Sequence, residues 1–206
     1  MLSQNSHDSS GELPPGQRQI NHILKWGTEH SAITQSIPRI AANRWTLRIS
    51  GEVRTAVRLR WADLLQYPSV TMVSDFHCVE GWSVVGCEWT GVAFQELVRA
   101  VHPKATARFV TISGADGYTT SLALDEMLQS DVLLAYRLNG TALPPELGGP
   151  LRLVVPQKYA YKSAMWVTKI TFTAKATKGY WEQQGYSQTA DVWTNDRYSP
   201  ERARII

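Results

Sequence analysis

Cys78 is the residue of this chain whose surroundings most strongly indicate chemistry. It lies in residues 76–83 (FHCVEGWS), directly after a hydrophobic segment at residues 70–76 that predicts a β-strand. A cysteine placed where a strand gives way to a glycine-containing loop can be held rigidly and still face a bound group. Because a thiolate is both a nucleophile and a soft metal ligand, the sequence leaves open whether this sulfur reacts or coordinates.

The histidines do not supply the partners that a zinc site would need. They have no metal-ligand spacing, and the sequence contains no HExxH, CxxC, GxSxG or P-loop motif. A cysteine-dependent hydrolase is an alternative, but His77 and Cys78 are neighbours on a predicted strand and point to opposite faces, which makes His77 a poor base for this thiol. The histidines are His7, His22, His30, His77 and His102.

The second cysteine, Cys87, allows two readings. It could form a disulfide with Cys78, or both residues could be small buried hydrophobic side chains, with Cys87 purely structural. Residues 1–19 are polar and contain neither an apolar h-region nor a twin-arginine pair, so a cytoplasmic location is expected. That location disfavours the disulfide.

A second region of chemical interest lies at residues 144–163. A glycine pair precedes the predicted strand 151–155, which carries Arg152, and the loop after that strand contains two lysines and Ser163. Backbone N–H groups, a guanidinium fork and ammonium groups can together surround an anion. The alternative is a solvated basic loop, and the segment does not by itself specify the anion.

The composition is that of a globular domain. The 206 residues are 43% hydrophobic and 19% charged, enough to bury a core, and no stretch of about 18 apolar residues that would predict a membrane span occurs. The net charge is +3 and the basic residues are scattered, so binding to nucleic acid is not predicted. The eight tryptophans suit a pocket with aromatic walls.

Alternating and continuous apolar segments predict a single mixed α+β domain that is rich in β-structure. Residues 1–40 are expected to be irregular, and residues 41–206 to form the domain, including an aromatic C-terminal tail from residue 179. The aromatic side chains favour a tail laid across a site over a disordered one. Strands are predicted at residues 44–50, 57–59, 70–76, 109–112, 118–122, 132–138, 151–155 and 166–172, and helical segments at 61–65, 90–98 and 124–128.

Several motifs, in order along the chain, resemble the sulfite oxidase-type molybdopterin-dependent oxidoreductases. The resemblance covers about residues 14–198, nearly the whole chain, and implies the mixed, β-rich fold of that family. The motifs are HCVEGWS (77–83), EWTGV (88–92), DGYTTS (116–121), VLLAYRLNG (132–140), GPLRLVVP (149–156) and GYWEQQGY (179–186).

This resemblance implies molybdopterin with molybdenum as the cofactor and Cys78 as the metal ligand. In the family a single cysteine thiolate binds molybdenum beside two dithiolene sulfurs of the pterin, and a soft sulfur suits such a redox metal. The pterin phosphate is expected against Arg152 and the loop of Lys162 and Ser163. The implied cofactor-binding residues are His77, Cys78, Asp116, Thr119, Arg152, Lys162 and Ser163.

Tyr186 matches the tyrosine that stands over the metal in sulfite oxidases. Its phenol would hydrogen-bond an oxygen atom at the reacting centre, which makes Tyr186 the implied catalytic residue. The alternative is that Tyr186 is an ordinary packed aromatic of the tail. Trp82 and Trp181 are expected either to wall the pocket or to belong to the core.

Three features depart from the sulfite oxidase pattern. Residues 32–34 and 79–83 match arginine-containing parts of the anion pocket but contain no arginine, and the second stretch carries Glu80. A carboxylate about 4 Å from sulfite would repel it by about 1–4 kcal/mol, depending on screening. Leu147 and Met165 stand where a histidine and a basic residue are frequent near the pterin phosphate. The first departure favours a sulfoxide-like or other small oxo acceptor over sulfite.

The resemblance therefore implies oxygen-atom transfer on a small substrate, with molybdenum cycling between its Mo(VI) and Mo(IV) states. Neither a haem domain nor the immunoglobulin-like dimerisation domain of animal and plant sulfite oxidases is expected within these 206 residues. Electrons would then pass through a separate redox partner, a cytochrome or another electron carrier. A non-catalytic molybdopterin-binding or carrier protein is the alternative.

Overall fold

The computed structural model describes residues 12–34 and 36–205. His7 and the first part of the predicted irregular segment lie outside these ranges. Within them the chain forms two mixed β-sheets with short helices, which confirms the predicted α+β, β-rich domain. No helix among the described residues is long and apolar enough to cross a membrane.

Short helices separate groups of one or two strands along the chain. The strands are β1 (Arg18–Gln19), β2 (Thr46–Gly51), β3 (Val57–Arg60), β4 (Ser69–His77), β5 (Trp82–Ala93), β6 (Phe109–Gly114), β7 (Thr119–Ala123), β8 (Leu133–Leu138), β9 (Thr141–Ala142), β10 (Arg152–Val154) and β11 (Val167–Thr173). The α-helices are α1 (Trp61–Leu64), α2 (Phe94–Val101), α3 (Leu124–Met127), α4 (Tyr180–Gln183) and α5 (Pro200–Ala203). Single 3₁₀ turns lie at Ala42–Arg44, Pro145–Leu147 and Ala160–Lys162.

Both sheets contain parallel and antiparallel strand pairs, but their strand orders differ. In the first sheet β5 is central, with β4 on one side and β1 and β8 on the other, and β8 continues to β9 and β10. The second sheet has the order β3-β2-β11-β6-β7. The pairs β1–β5 and β2–β11 are parallel, and the other strand pairs are antiparallel.

The main core lies where α2 and the second sheet meet. Leu47 and Ile49 alternate with exposed Arg48 on β2, so that one face of this strand is fully buried. Phe94 of α2 stacks against Phe172 of β11 at a centroid distance of 6.3 Å. Each fully buried side chain of this kind contributes about 1.5–3 kcal/mol to stability. Val92 and Leu134 of the first sheet belong to the same core, which joins the sheet that carries Cys78 to the second sheet.

The predicted helix at residues 90–98 is wrong at its start. Residues 90–93 continue β5, and the helix begins only at Phe94. The reason is tertiary pairing, because Gly91 lies opposite Ala135 and Val92 opposite Leu134 on β8. The helix propensity of a few residues is outweighed by the hydrogen bonds and packing of a central strand that pairs with a neighbour on each side.

The C-terminal tail is ordered and lies against residues 157–162. Tyr159 donates its backbone N–H to the carbonyl oxygen of Ala190 at 2.9 Å, and the hydroxyl of Tyr161 donates to the carbonyl oxygen of Ser187 at 2.7 Å. The tail is therefore laid across the body of the domain, as its aromatic content favoured, and is not disordered.

Gly91 of β5 lies close against the backbone of β8. An added Cβ would lie 2.2 Å from the carbonyl oxygen of Leu134, so Gly91→Ala should force the strands apart and destabilise the fold by about 2–3 kcal/mol. Gly86→Ala is the control, because its Cβ would meet no atom within 4 Å and only its positive φ of +67° would cost about 1 kcal/mol. Urea unfolding of both variants measures the difference, and equal losses would contradict the packing argument.

Candidate active site

A single cleft collects most of the residues that the sequence marks for chemistry. It encloses about 890 Å³, including its opening to solvent. The end of β4, the β6–β7 turn, β10, the loop before β11 and the C-terminal tail all contribute to its walls. The lining residues are Ile23, Trp26, His30, Ile33, Phe76, Cys78, Val79, Glu80, Trp82, Asp116, Tyr118, Arg152, Ala160, Tyr161, Ser163, Ala164, Met165, Trp166, Trp181 and Tyr186.

Cys78 lies on a tight turn between β4 and β5. The backbone N–H of Cys78 donates to the carbonyl oxygen of Trp82 at 2.8 Å, and the N–H of Gly81 donates to the carbonyl oxygen of Cys78 at 3.0 Å. Gly81 has a φ of +92°, which is readily adopted only by glycine. The turn therefore fixes the backbone of Cys78 at the wall of the cleft.

The Cys78 thiol is not activated by the protein alone. Burial, reinforced by the carboxylate of Glu80, raises the pKa of Cys78 to about 12. The sulfur lies 3.8 Å from Oε2 of Glu80, a distance at which the thiol donates a weak hydrogen bond. A bound metal cation would supply the positive charge that the thiolate lacks. Such a site suits a metal ligand better than a free nucleophile.

Cys78 and Cys87 are both unpaired, so the disulfide interpretation is wrong. Cys87 is buried on β5, where its thiol lies 3.7 Å from the carbonyl oxygen of Val84. It lies outside the lining of the cleft and fits the structural role expected of it.

Glu80 is held at the cleft by two partners. Its Oε1 lies 2.9 Å from Nε2 of His30, and its Oε2 accepts a hydrogen bond of 3.1 Å from the indole of Trp82. The ring of His30 in turn packs against Trp26 at a centroid distance of 4.2 Å and an interplanar angle of 37°. The carboxylate is therefore a fixed part of the wall beside Cys78, although 48% of its side chain is exposed.

Arg152 supplies a buried cation that no described carboxylate neutralises in an ion pair. Its guanidinium donates to the carbonyl oxygens of Leu147 and Ser163 at 3.0 and 3.2 Å, and packs over the rings of Phe76 and Trp89. Its Nε is buried without a hydrogen-bond partner among the described residues. Burial lowers the pKa of Arg152 to about 10, so it stays charged at neutral pH. An uncompensated buried charge at the wall of a cleft fits an anionic group such as a phosphate.

Lys162 does not line the cleft. Its ammonium lies 2.5 Å from Oε1 of Glu182 and 2.9 Å from the carbonyl oxygen of Ser121, and both charged side chains are fully buried. Burial lowers the pKa of Lys162, and the carboxylate of Glu182 opposes that shift. The ion pair joins the loop before β11 to α4 of the tail, which leaves Lys162 occupied by a structural partner.

The remaining predicted residues divide between the cleft and its surroundings. Asp116 and Ser163 line the cleft, where burial raises the pKa of Asp116 and the Ser163 hydroxyl accepts the N–H of Val155 at 3.0 Å. His77 is buried behind the wall, with its Nδ1 2.7 Å from the Ser83 hydroxyl. Thr119 lies on β7 outside the lining.

Tyr186 lies in the cleft within a cluster of aromatic rings. Its ring packs against Trp181 and Tyr161 at 5.4 and 5.7 Å, and the guanidinium of Arg202 lies 4.7 Å above it. Its hydroxyl has no hydrogen-bond partner among the described residues. Trp82 and Trp181 are also in the lining, as expected for walls of the pocket.

Four residues that position this site escaped the sequence analysis. Glu182 lies within the GYWEQQGY motif, where a carboxylate beside aromatic residues is the one signal that could have marked it. His30, Gln17 and Arg197 belong to no motif. Their partners lie far away in the sequence, at Glu80, Cys78 and Val79.

Comparison with known families identifies the class of this protein. Residues 34–181 match the family described as "Oxidoreductase molybdopterin binding domain", and the chain belongs to that family. This confirms the expected molybdopterin-dependent oxidoreductase and its molybdenum-molybdopterin cofactor. The cleft fits that group, because the half-buried sulfur of Cys78 and the uncompensated guanidinium of Arg152 lie in the same aromatic-walled cavity.

Individual relatives agree with this class. The chain is 36% identical over 193 residues to the "Uncharacterized oxidoreductase YuiH" of Bacillus subtilis, covering 93% of this chain and 94% of that protein. It is 33% identical over 196 residues to the "Protein-methionine-sulfoxide reductase catalytic subunit MsrP" of Campylobacter jejuni, covering 86% of this chain and 66% of the relative.

A solved structure supports the fold. The sulfane dehydrogenase SoxCD of Paracoccus pantotrophus superposes with a TM-score of 0.65 at 24% identity, over 72% of this chain and 42% of the other. At that identity the match shows the sulfite oxidase-type fold alone.

The buried pair of Lys162 and Glu182 predicts a strong stability effect. Glu182→Leu should cost about 3–5 kcal/mol, because it leaves the Lys162 ammonium buried without its counter-charge. Combining it with Lys162→Met should regain most of that loss. Chemical denaturation measures both values. The control Arg99→Ala breaks an exposed pair with Glu96 and should cost at most about 1 kcal/mol. A double variant as unstable as the single one would contradict this account.

Proposed function

We propose that this oxidoreductase reduces a neutral, sulfoxide-like substrate, with Cys78 as the protein ligand of molybdenum. Bound molybdenum-molybdopterin supplies oxygen-atom transfer together with the accompanying change in the oxidation state of the metal. The observation that supports reduction of a neutral substrate over oxidation of sulfite is the charge of the cleft. Two carboxylates, Glu80 and Asp116, line it against the single guanidinium of Arg152.

This charge distribution disfavours an anionic substrate. Arg152 is buried beneath Phe76 and Trp89, and we assign it to the phosphate of the cofactor together with Ser163. The side nearest the thiol then presents Glu80, whose carboxylate would repel sulfite by about 1–4 kcal/mol at about 4 Å. A neutral sulfoxide avoids that repulsion, and the aromatic walls favour its apolar groups.

The residues of this chain have separable roles in the proposed reaction. Cys78 holds the metal, and the hydroxyl of Tyr186 donates a hydrogen bond to the substrate oxygen. Trp82 and Trp181 exclude water from the cleft and orient the substrate by apolar contact. His77 and Thr119 lie behind the wall, and a direct role for them in cofactor binding stays a prediction.

The comparisons support this direction without extending to the identity of the substrate. Relatives named as methionine-sulfoxide reductase subunits match at 31–33% identity, but the chain spans only 53–66% of their length. We further propose that electrons arrive from a separate carrier protein. The cytoplasmic location stays a prediction that depends on the polar sequence of residues 1–19.

Ligation by Cys78 predicts a spectroscopic change on substitution. Cys78→Ser replaces a soft sulfur by a hard oxygen, so the holoenzyme should lose the cysteine contribution to its sulfur-to-metal absorption, while the dithiolene contribution stays, and at least about 100-fold of its turnover. Visible spectra and metal analysis of the purified protein measure these effects. Cys87→Ser is the control and should leave the spectrum unchanged. An unaltered spectrum in Cys78→Ser would exclude this ligand.

The role of Glu80 predicts a shift in substrate preference. Wild-type holoenzyme should reduce a small sulfoxide with a reduced viologen dye and should oxidise sulfite poorly. Glu80→Gln should lower the KM for sulfite by about 10-fold, since removing repulsion of about 1.4 kcal/mol corresponds to that factor, and Glu80→Arg should lower it further. Glu88→Gln removes the same charge from an exposed position outside the cleft and is the control. Faster sulfite oxidation than sulfoxide reduction in the wild type would overturn the proposed direction.

A further inference from the structure

The turn that carries Cys78 is held from outside by two residues that belong to no recognised motif. Arg197, on the C-terminal tail, donates through Nη1 to the carbonyl oxygen of Val79 and through Nη2 to that of Gly16 at 3.1 Å. Its Nε donates to Oδ1 of Asn195 at 2.7 Å, and its guanidinium lies 5.1 Å over the ring of Tyr159. One side chain thereby joins the N-terminal segment, the Cys78 turn and the tail.

Gln17 holds the same turn from the N-terminal segment. Its Nε2 donates to the carbonyl oxygen of Cys78 at 3.1 Å, and its Oε1 accepts from the hydroxyl of Ser83 at 3.0 Å. The same hydroxyl lies 2.7 Å from Nδ1 of His77. Gln17 therefore contacts both the beginning and the end of the turn.

The N-terminal segment, the Cys78 turn and Arg197 pack so closely that a side chain at Gly16 or Gly81 would meet them. A Cβ added at Gly16 would lie 2.9 Å from Nη2 of Arg197, and one added at Gly81 would lie 3.1 Å from the carbonyl oxygen of Gly16. The N–H of Arg18 also donates to the carbonyl oxygen of Gly81 at 2.9 Å. Two glycines are thus needed for the N-terminal segment, the turn and Arg197 to meet.

These bonds determine where the sulfur can point. The N–H of Cys78 is held by Trp82, its carbonyl by Gln17 and Gly81, and the next carbonyl by Arg197. Both backbone torsions of Cys78 are then restrained, and rotation about the Cα–Cβ bond is the main freedom left to the sulfur. The overlap of a thiolate with a metal depends on that direction, so the outer contacts act on the electronic structure of the metal site.

We propose that Arg197 and Gln17 are positioning residues that set the orientation of the Cys78 thiolate toward molybdenum. This inference rests on the proposed function, because it takes Cys78 as the metal ligand. This role differs from simply fastening the tail to the domain in the properties that a substitution would change. An anchor would change stability alone, whereas a positioning residue also changes the absorption and the reduction potential of the metal.

The test compares holoenzyme variants at equal molybdenum content. Arg197→Lys keeps the charge but loses the fork that reaches two carbonyl oxygens, and Gln17→Met keeps the size but loses both hydrogen bonds. We expect both variants to shift the sulfur-to-metal absorption and the reduction potential, and to lower kcat about 10-fold with little change in KM. Arg204→Ala, at an exposed position on the same tail, is the control and should match the wild type.

The outcomes separate this inference from the proposed function. If Arg197→Lys and Gln17→Met lower the melting temperature but keep the wild-type spectrum and potential, the positioning role is wrong while Cys78 ligation stands. If Cys78→Ser keeps the wild-type spectrum, the ligand assignment fails and the positioning role fails with it. Should Arg197→Lys not accumulate as folded protein, Gln17→Met decides the question by the same two measurements.

Discussion

The orientation of one half-buried sulfur, that of Cys78, is the constraint on which the proposed site depends. On one side, the turn that carries Cys78 is closed by local bonds, from the N–H of Cys78 to Trp82 and from the N–H of Gly81 to the carbonyl oxygen of Cys78. The other side is completed by Gln17 and Arg197, from opposite ends of the described chain. Under the proposed function Cys78 is a metal ligand, and Gln17 and Arg197 restrain the part of its turn that the local hydrogen bonds leave free.

Two cations near the cleft, Lys162 and Arg152, are buried but differ in whether a carboxylate neutralises them. Lys162 has a full counter-charge in Glu182, and the pair joins the body of the domain to the tail. Arg152 has only carbonyl oxygens and aromatic rings, and its Nε has no described hydrogen-bond partner. A buried charge without a counter-ion is costly unless a ligand supplies one. Arg152 is therefore the cation that we assign to the cofactor phosphate, whereas Lys162 joins the tail to the body of the domain.

Sequence patterns predicted the elements whose residues interact locally and missed those decided by distant partners. The alternation of Leu47, Arg48 and Ile49 marked β2 because one face of that strand is buried. The long strand β5 escaped because Gly86, Glu88 and Gly91 interrupt its pattern, and its pairing with β4 and β8 decides its conformation. The motifs marked Cys78 and Arg152, and both residues line the cleft. The ion pair of Lys162 with Glu182 had no sign in the sequence, because two charges at distant positions give no periodic signal.

Glu80 connects the electrostatics of the cleft with its selectivity. A carboxylate beside a thiolate ligand would be expected to move away from it, yet His30 and the indole of Trp82 hold it in place. Both partners line the same cleft, and Trp26 packs against His30 from the other side. Fixing this carboxylate costs side-chain entropy and raises the pKa of Cys78, so the arrangement opposes metal binding on its own. In the proposed reduction of a neutral substrate, a benefit at the substrate stage offsets that cost, because a held negative charge would reject anions and admit neutral oxo compounds.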